Sequence, residues 1–346
     1  MAIIDKPSDY FNTVLYTGNA STNAITGVGF SPSLVWAKAR NNAYSNTFYD
    51  VVRGVTKRLY TNLNYAENTE ANSLTAFGSD GFTLGSDGGS NVNSGTFVAW
   101  NWKAGTSFTN DASSTGVGSI DSAGSVNQDA GFSIIGYSGD TSDAPSTVAH
   151  GLSQKPEMMF IKRRTLSGQW VVYNKTIGAT HNLHLDSTDA SSAYQYFFNN
   201  TEPTSSVFTV GDDGESNKTG SNYIAYCFHS VQGYSKFGSY TGNGSTDGTF
   251  VYTGFKPAWL MIKRTDAANS WIIMDNKRNT FNPMGEELKA EVSDAGNVAT
   301  RWDNLSNGFK LRNAGAAVNA SGGSYIYMAF AENPFVTSTG VPATAR

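Results

Sequence analysis

The stretch Pro257 to Asp275, PAWLMIKRTDAANSWIIMD, shares a nineteen-residue frame with Pro32 to Asp50, PSLVWAKARNNAYSNTFYD, and with Pro156 to Asn174, PEMMFIKRRTLSGQWVVYN. No gap is needed to align them. Each copy begins at proline, runs through mostly apolar residues to a lysine, crosses a polar segment and returns through a second apolar run to Asp or Asn. Two short apolar runs around a polar connection predict a β-hairpin. The first run is apolar at successive positions (Trp259, Leu260, Met261, Ile262), which predicts a central strand covered on both faces. Lys38 and Asp50, Lys162 and Asn174, and Lys263 and Asp275 are each twelve residues apart. A symmetric hairpin then sets each lysine opposite its Asp or Asn, a cross-strand pair worth roughly 0.2–1 kcal/mol that pins register at the wet end. The three pairs read as scaffold rather than as a charge relay.

Other landmarks recur around the hairpins. An opening strand ends in Tyr16-Thr17-Gly18, Tyr137-Ser138-Gly139 and Tyr240-Thr241-Gly242. Later strands are predicted at Gly81 to Leu84, Val207 to Val210 and Gly308 to Leu311, and closing strands at Thr96 to Trp102, Asn222 to Phe228 and Ser324 to Phe330. Six or seven short strands in each block fit a small antiparallel sandwich or barrel. The expected fold is all-β, with three tandem antiparallel β-sandwich or barrel modules related by internal repeat, each with its own core. The modules span 1–103, 131–229 and 230–331. A Gly/Ser-rich flexible linker or arm covers 104–130, and an extended tail, 332–346, is expected to lie on a neighbouring surface. The one segment with helical character, GEELKAEV from Gly285, reads as strand or turn because its counterparts YTNLNYA and LHLDSTD are poor helix formers.

Composition narrows the function. Charged residues are 15% of 346, aromatics 13%, and the net charge is -4, so the surface is neutral and polar and the electrostatic footprint of nucleic-acid binding is missing. The single cysteine, Cys227, lies in the apolar run YIAYCF and reads as a small core residue. The start, MAIIDKPSDYF, has neither a basic nor an apolar signal region, and no run is long enough to insert in a membrane. The protein is expected to be made in a host cytoplasm.

Candidate chemistry is sparse. His181 and His184, three apart in an extended segment, point to opposite faces and make no zinc pair. His150 and His229 have no Ser or Cys nucleophile in a recognisable frame. Two acidic loops, Asp212, Asp213 and Glu215, and Asp140 with Asp143, could hold a structural Ca²⁺ through carboxylate and carbonyl oxygens. Six of the seven tryptophans sit in apolar strands. Trp302, in the polar run Arg301-Trp302-Asp303-Asn304, is the candidate exposed ligand contact. No catalytic or cofactor-binding residue is assigned, and the expectation is a protein without enzymatic activity.

The Tyr-Thr-Gly endings, the Gly29-Phe30-Ser31-Pro32 entry to the hairpin, Val52-Arg53-Gly54, Gly81-Phe82, the string Val98-Ala99-Trp100-Asn101-Trp102-Lys103-Ala104-Gly105, and the ending Asn333-Pro334-Phe335 with Gly340-Val341-Pro342-Ala343-Thr344-Ala345-Arg346 resemble a family of tailed-phage virion proteins, frequent in marine phages and built from repeats of an uncharacterised β domain. The resemblance covers nearly the whole chain. It implies a virion component: a tail fibre or spike subunit attaching to the host surface, with a head or tail decoration protein as the alternative and a glycan depolymerase as a second. The implied partners are other virion proteins, further copies of the chain in a homo-oligomer (a trimer first), and a host surface glycan or protein.

Overall fold

The strands that open the three hairpins, Leu34–Ala39, Met158–Arg163 and Phe255–Arg264, are buried along nearly their whole length in the computed structural model, which describes residues 3–141 and 145–342. Each lies between its hairpin partner and the closing strand, which pairs in turn with an opening strand. The first sheet runs Phe11–Thr17, Thr96–Trp102, Leu34–Ala39, Thr47–Asp50, Lys57–Tyr60 and Asn68–Thr69. The second includes Phe132–Ser138, Asn222–Phe228, Met158–Arg163, Val171–Asn174, His181–His184 and Ser192–Ala193, and the third runs Ser235–Thr241, Ser324–Pro334, Phe255–Arg264, Ile272–Asp275 and Met284–Lys289 and continues through Asn297–Leu305, Gly308–Leu311 and Phe250–Tyr252. All these pairs are antiparallel. GEELKAEV accordingly contributes to a strand.

Successive side chains on a strand point to opposite faces, and here neither face is wet. Leu34, Trp36, Met158, Phe160, Trp259 and Met261 enter one core common to the three sheets. Their neighbours Val35, Met159 with Ile161, and Leu260 with Ile262 enter three separate cores. The separate cores are closed by smaller strands: Asn23–Thr26, Gly81–Leu84 and Leu74–Gly78; Ser146–Ala149 with Val207–Val210; and Phe250–Tyr252 with Gly308–Leu311. Burial on both sides is why the hairpin strands are apolar without alternation. It also corrects the expectation of self-contained cores, because the largest aromatic cluster belongs to all three sheets at once. Trp259 is its hub, with ring centroids 6.0 Å from Trp100, 5.8 Å from Trp102, 6.4 Å from Trp36 and 5.9 Å from Phe330. Phe228 of the second sheet reaches Phe330 at 6.3 Å.

The Tyr-x-Gly endings have a common geometry. Tyr16, Tyr137 and Tyr240 donate their hydroxyls to the carbonyls of Ser90, Ser216 and Val318 at 2.8, 2.6 and 2.6 Å. The glycines that follow, Gly18, Gly139 and Gly242, lie so close to facing backbone that a Cβ would come within 2.1, 2.5 and 2.3 Å of it. No other residue fits without moving that facing loop.

Three expectations are corrected. The hairpin register sets Asp50 opposite Leu34, Asn174 opposite Met158 and Asp275 opposite Trp259, so no lysine faces its Asp or Asn. The lysines lie at the loop end of each hairpin and the acids at the other, and both are buried. A buried ammonium needs several oxygens around it, which the hairpin loop supplies, whereas Asp50 caps the turn that follows its strand by accepting from Val52 and Arg53 N–H. Residues 104–130 are not a flexible arm: Thr106–Asn110 and Ser122–Asn127 extend the second sheet beyond Phe132–Ser138. Their small polar residues suit an edge strand, and composition alone does not separate that from a linker. The tail does not leave the chain: Glu332 to Pro334 end the strand Ser324–Pro334, and Ser338 N–H donates to Asp5 Oδ1 at 2.7 Å. Residues 343–346 of the tail lie outside the described residues.

Candidate functional site

The three lysines join one sheet to the next. Lys38 Nζ donates to Asn46 Oδ1 at 2.6 Å and to Val292 O of the third sheet's loop at 2.8 Å. Lys162 donates to Gly168 O at 2.7 Å and to Asn64 O of the first at 3.3 Å, and Lys263 to Asn269 O at 2.6 Å and Thr188 O of the second at 2.8 Å. Burial pulls Lys38 down to about 7 and Lys162 and Lys263 to about 8. Backbone bonds follow the same cycle: Gly296 N–H to Arg40 O, Glu67 N–H to Arg164 O and Ser191 N–H to Thr265 O, at 2.7, 2.9 and 2.8 Å.

The acids at the opposite ends of the hairpins form a second set of joints. Asp50 Oδ2 accepts from Arg53 Nε at 2.5 Å and from Tyr226 of the second sheet at 2.7 Å. Asp275 Oδ2 accepts from Arg278 Nε at 2.6 Å and from Trp100 Nε1 of the first at 3.0 Å. Asn174 stands at the corresponding place in the second sheet, but Ile177 replaces the arginine, Met328 lines the core where Tyr226 and Trp100 stand, and the Asn174 amide nitrogen has no partner. The side chains of Asp50, Arg53, Asp275 and Arg278 have no exposed surface, and these joints hold the sheets together.

An open cleft of about 490 Å³ lies beside the second sheet, lined by Glu157, Tyr173, Lys175, Glu202, His229 and Ser230 among others. Glu157 accepts from Lys175 at 2.7 Å and from Ser230 N–H at 3.0 Å; Glu202 accepts from Ala179 N–H at 2.6 Å and from the Tyr173 hydroxyl. The Ser230 hydroxyl donates to Glu157 and accepts from Phe237 N–H. His229 Nδ1 lies 3.1 Å from Ser230 O, to which it must donate, leaving Nε2 as a lone-pair acceptor with no partner. Burial keeps this imidazole neutral by lowering its pKa. The unpartnered Nε2 is buried, and the carboxylates lining the cleft are already bonded within the chain.

The remaining candidates are located as follows. Trp302 is 0% exposed, packed with Phe309 and Leu311, and is no surface contact; on its strand the polar neighbours Arg301 and Asp303 simply face the other way. Arg301 pairs with Glu287 and Asp303 with Arg312. In the acidic loop Asp213 accepts from Tyr194 and from Glu215 N–H, both at 2.7 Å, and Glu215 accepts from Gln169 N–H at 2.8 Å. Among the described residues no three His, Cys, Asp or Glu groups are placed to share a metal ion, and Asp143 lies outside them. Cys227 is buried, and burial pushes its thiol up to about 12.

His150 is neutral by construction: Nδ1 accepts from Leu152 N–H at 3.1 Å, and Nε2 is 3.2 Å from Thr204 O. Burial lowers its pKa from 6.5 to about 4. The unfolded chain therefore takes up this proton first. Its contribution to stability is complete above pH 6.5 and is lost as pH falls through 4, on the order of 3 kcal/mol in all. Urea unfolding of the wild type and of His150→Gln across that window checks it; the variant loses this part of the acid slope.

One family profile, described as a domain of unknown function (DUF7483), matches residues 6–334, spanning the three sheets and the common core. The chain belongs to the DUF7483 family. No curated protein and no solved structure matches it. In this DUF7483 chain the residues that sequence reading missed are three buried asparagines. Asn91, Asn217 and Asn319 accept from the N–H of Asn19, Asp140 and Asn243, the residue after each Tyr-x-Gly, at 3.0, 2.6 and 3.0 Å. Their signal was available, since each precedes a closing strand by the same interval, but Asn reads as an ordinary turn residue.

Proposed function

We propose that the chain is three copies of one β module closed into a ring, and that it serves as a structural component of a tailed-phage particle, a tail fibre or spike subunit that attaches to the host surface. The observation that carries the ring is the cyclic backbone set, Glu67 to Arg164, Ser191 to Thr265 and Gly296 to Arg40, in which corresponding residues of each sheet bond the next in one sense. The recurring strand order supports the same reading. The particle role rests on the resemblance of the motifs quoted above. A core closed within one chain leaves a rigid body that displays loops, which suits attachment. Any homotrimer would be built from other surfaces.

The hairpin-loop end carries exposed apolar groups suited to contact. Tyr65 and Leu166 are 57% and 52% exposed on loops joined by the bond from Gly168 N–H to Asn64 O. Tyr194 and Tyr196, 5.4 Å apart, stand beside the acidic loop. Exposed aromatics of this kind anchor interfaces. Replacing Tyr65 and Leu166 by alanine is expected to change stability by no more than about 0.5 kcal/mol, while lowering adsorption of the particle to host cells at least several-fold.

Labelling the protein in purified particles and locating it by electron microscopy tests the role directly. Tail-tip density supports the fibre or spike. Shell density at icosahedral copy number replaces it with the decoration protein, and release of reducing ends from host polysaccharide replaces it with the depolymerase.

A further inference from the structure

We infer that the ring has one weak seam, between the second and third sheets, and opens there first. The inference rests on the three-copy reading and adds to it an inequality among the three joints. Between the first and second sheets, Arg164 makes two bonds of 3.0 Å to Glu67, and Tyr226 donates to Asp50. Between the first and third, Arg40 makes two bonds of 3.2 Å to Glu286, and Trp100 donates to Asp275. At the place of Arg40 and Arg164 the third sheet has Thr265, and at the place of Glu67 the second has Ser191. Their contacts are neutral, Ser191 N–H and Oγ to Thr265 O at 2.8 and 2.9 Å. The buried joint is changed as well: Met328 offers no donor and Asn174 no charge, and the Asn174 amide is left unpaired.

Away from the chain connection, where Glu157 accepts from Ser230, no carboxylate accepts a hydrogen bond across the second-to-third interface among the described residues. The contacts kept there include Lys263 to Thr188 O and the indole of Trp271 to His184 O, matching Lys162 to Asn64 O and Trp170 to Tyr60 O at the first-to-second joint; at the first-to-third joint the Asn46 amide takes the place of the indole and donates to Lys289 O. Paired, partly buried guanidinium and carboxylate groups form stronger and more directional bonds than neutral ones. The same two sheets are joined by a short chain connection, the turn of Val231 to Ser235 beside Phe228, Phe237 and Phe330. A short tether keeps the halves at high effective concentration, so the seam closes readily without a charged clasp. The end far from the tether, at Ser191 and Thr265, separates first.

Amide hydrogen exchange on the full chain, read per residue and corrected for intrinsic rates, tests this. The Ser191 and Asn269 amides are expected to exchange about ten-fold or more faster than Glu67, Gly168 and Gly296, their counterparts at the other joints. The double variant Ser191→Glu with Thr265→Arg, which restores the clasp, is expected to slow Asn269 toward Gly168. Equal protection at the three joints overturns the seam, as does a double variant that leaves Asn269 unchanged. If Glu67 and Gly296 are themselves unprotected, the ring fails and the seam with it.

Discussion

Asp50→Ala lowers the stability of the folded chain by about 3–5 kcal/mol, the usual cost of stripping the partner from a buried charge. Arg53 has no solvent-exposed side-chain surface, and its remaining ties are weaker: Phe48 O at 2.8 Å, with Lys57 O and Glu67 at 3.4 and 3.3 Å. Removing the carboxylate also strands the Tyr226 hydroxyl and the two turn amides. The chain contains its own control. The neutral set Asn174, Ile177 and Met328 occupies the equivalent position, so the triple variant Asp50→Asn, Arg53→Ile, Tyr226→Met is expected to recover most of the loss. Asn174→Ala, with no charge to strand, should cost only about 1 kcal/mol. Urea unfolding midpoints at constant slope measure all three. A triple variant as unstable as Asp50→Ala would show that the sites are not interchangeable.

Trp259→Ala removes the hub of the common core and is expected to cost about 3–5 kcal/mol. More telling is the form of the transition. Because Trp259 packs on Trp36, Trp100 and Trp102 of the first sheet, and Phe330 on Phe228 of the second, unfolding is expected as one cooperative event seen alike by tryptophan fluorescence and far-ultraviolet circular dichroism. A fragment of residues 1–103 keeps the small core of Ile25, Leu74 and Phe82 but exposes Trp36, Trp100 and Trp102, and is expected not to fold alone. Three resolved transitions, or a folded fragment with dispersed amide signals, would refute a shared core.

The strands were legible because burial leaves a mark on composition. Trp259 to Ile262 are apolar in succession, and the structure covers that strand on both faces. Cys227 was placed inside for the same reason. Register was not legible. Equal spacing from Lys38 to Asp50 suggested facing partners, but a buried ammonium takes oxygens from its own hairpin loop and from a loop of another sheet, as Lys38 does from Asn46 and Val292. Trp302 was misread because its polar neighbours were taken as a polar run, when on a strand they mark the opposite face. The edge strands within 104–130 escaped because pairing at an edge asks little of side chains. Of the cleft, only His229 had been noticed; Glu157, Tyr173 and Glu202 converge there from separate strands and loops.

The wall shared by Trp36, Trp100 and Trp102 is finished only by Trp259 and Phe330, near the far end of the chain. At about 5–20 residues per second a ribosome takes roughly ten seconds or more to reach them. For that interval the nascent chain carries an unsealed indole surface, and its sheets offer edges to neighbouring nascent chains. Slower synthesis or crowded polysomes should therefore favour aggregates of incomplete chains, and cellular chaperones should be found on ribosomes that have passed the second sheet but not the third.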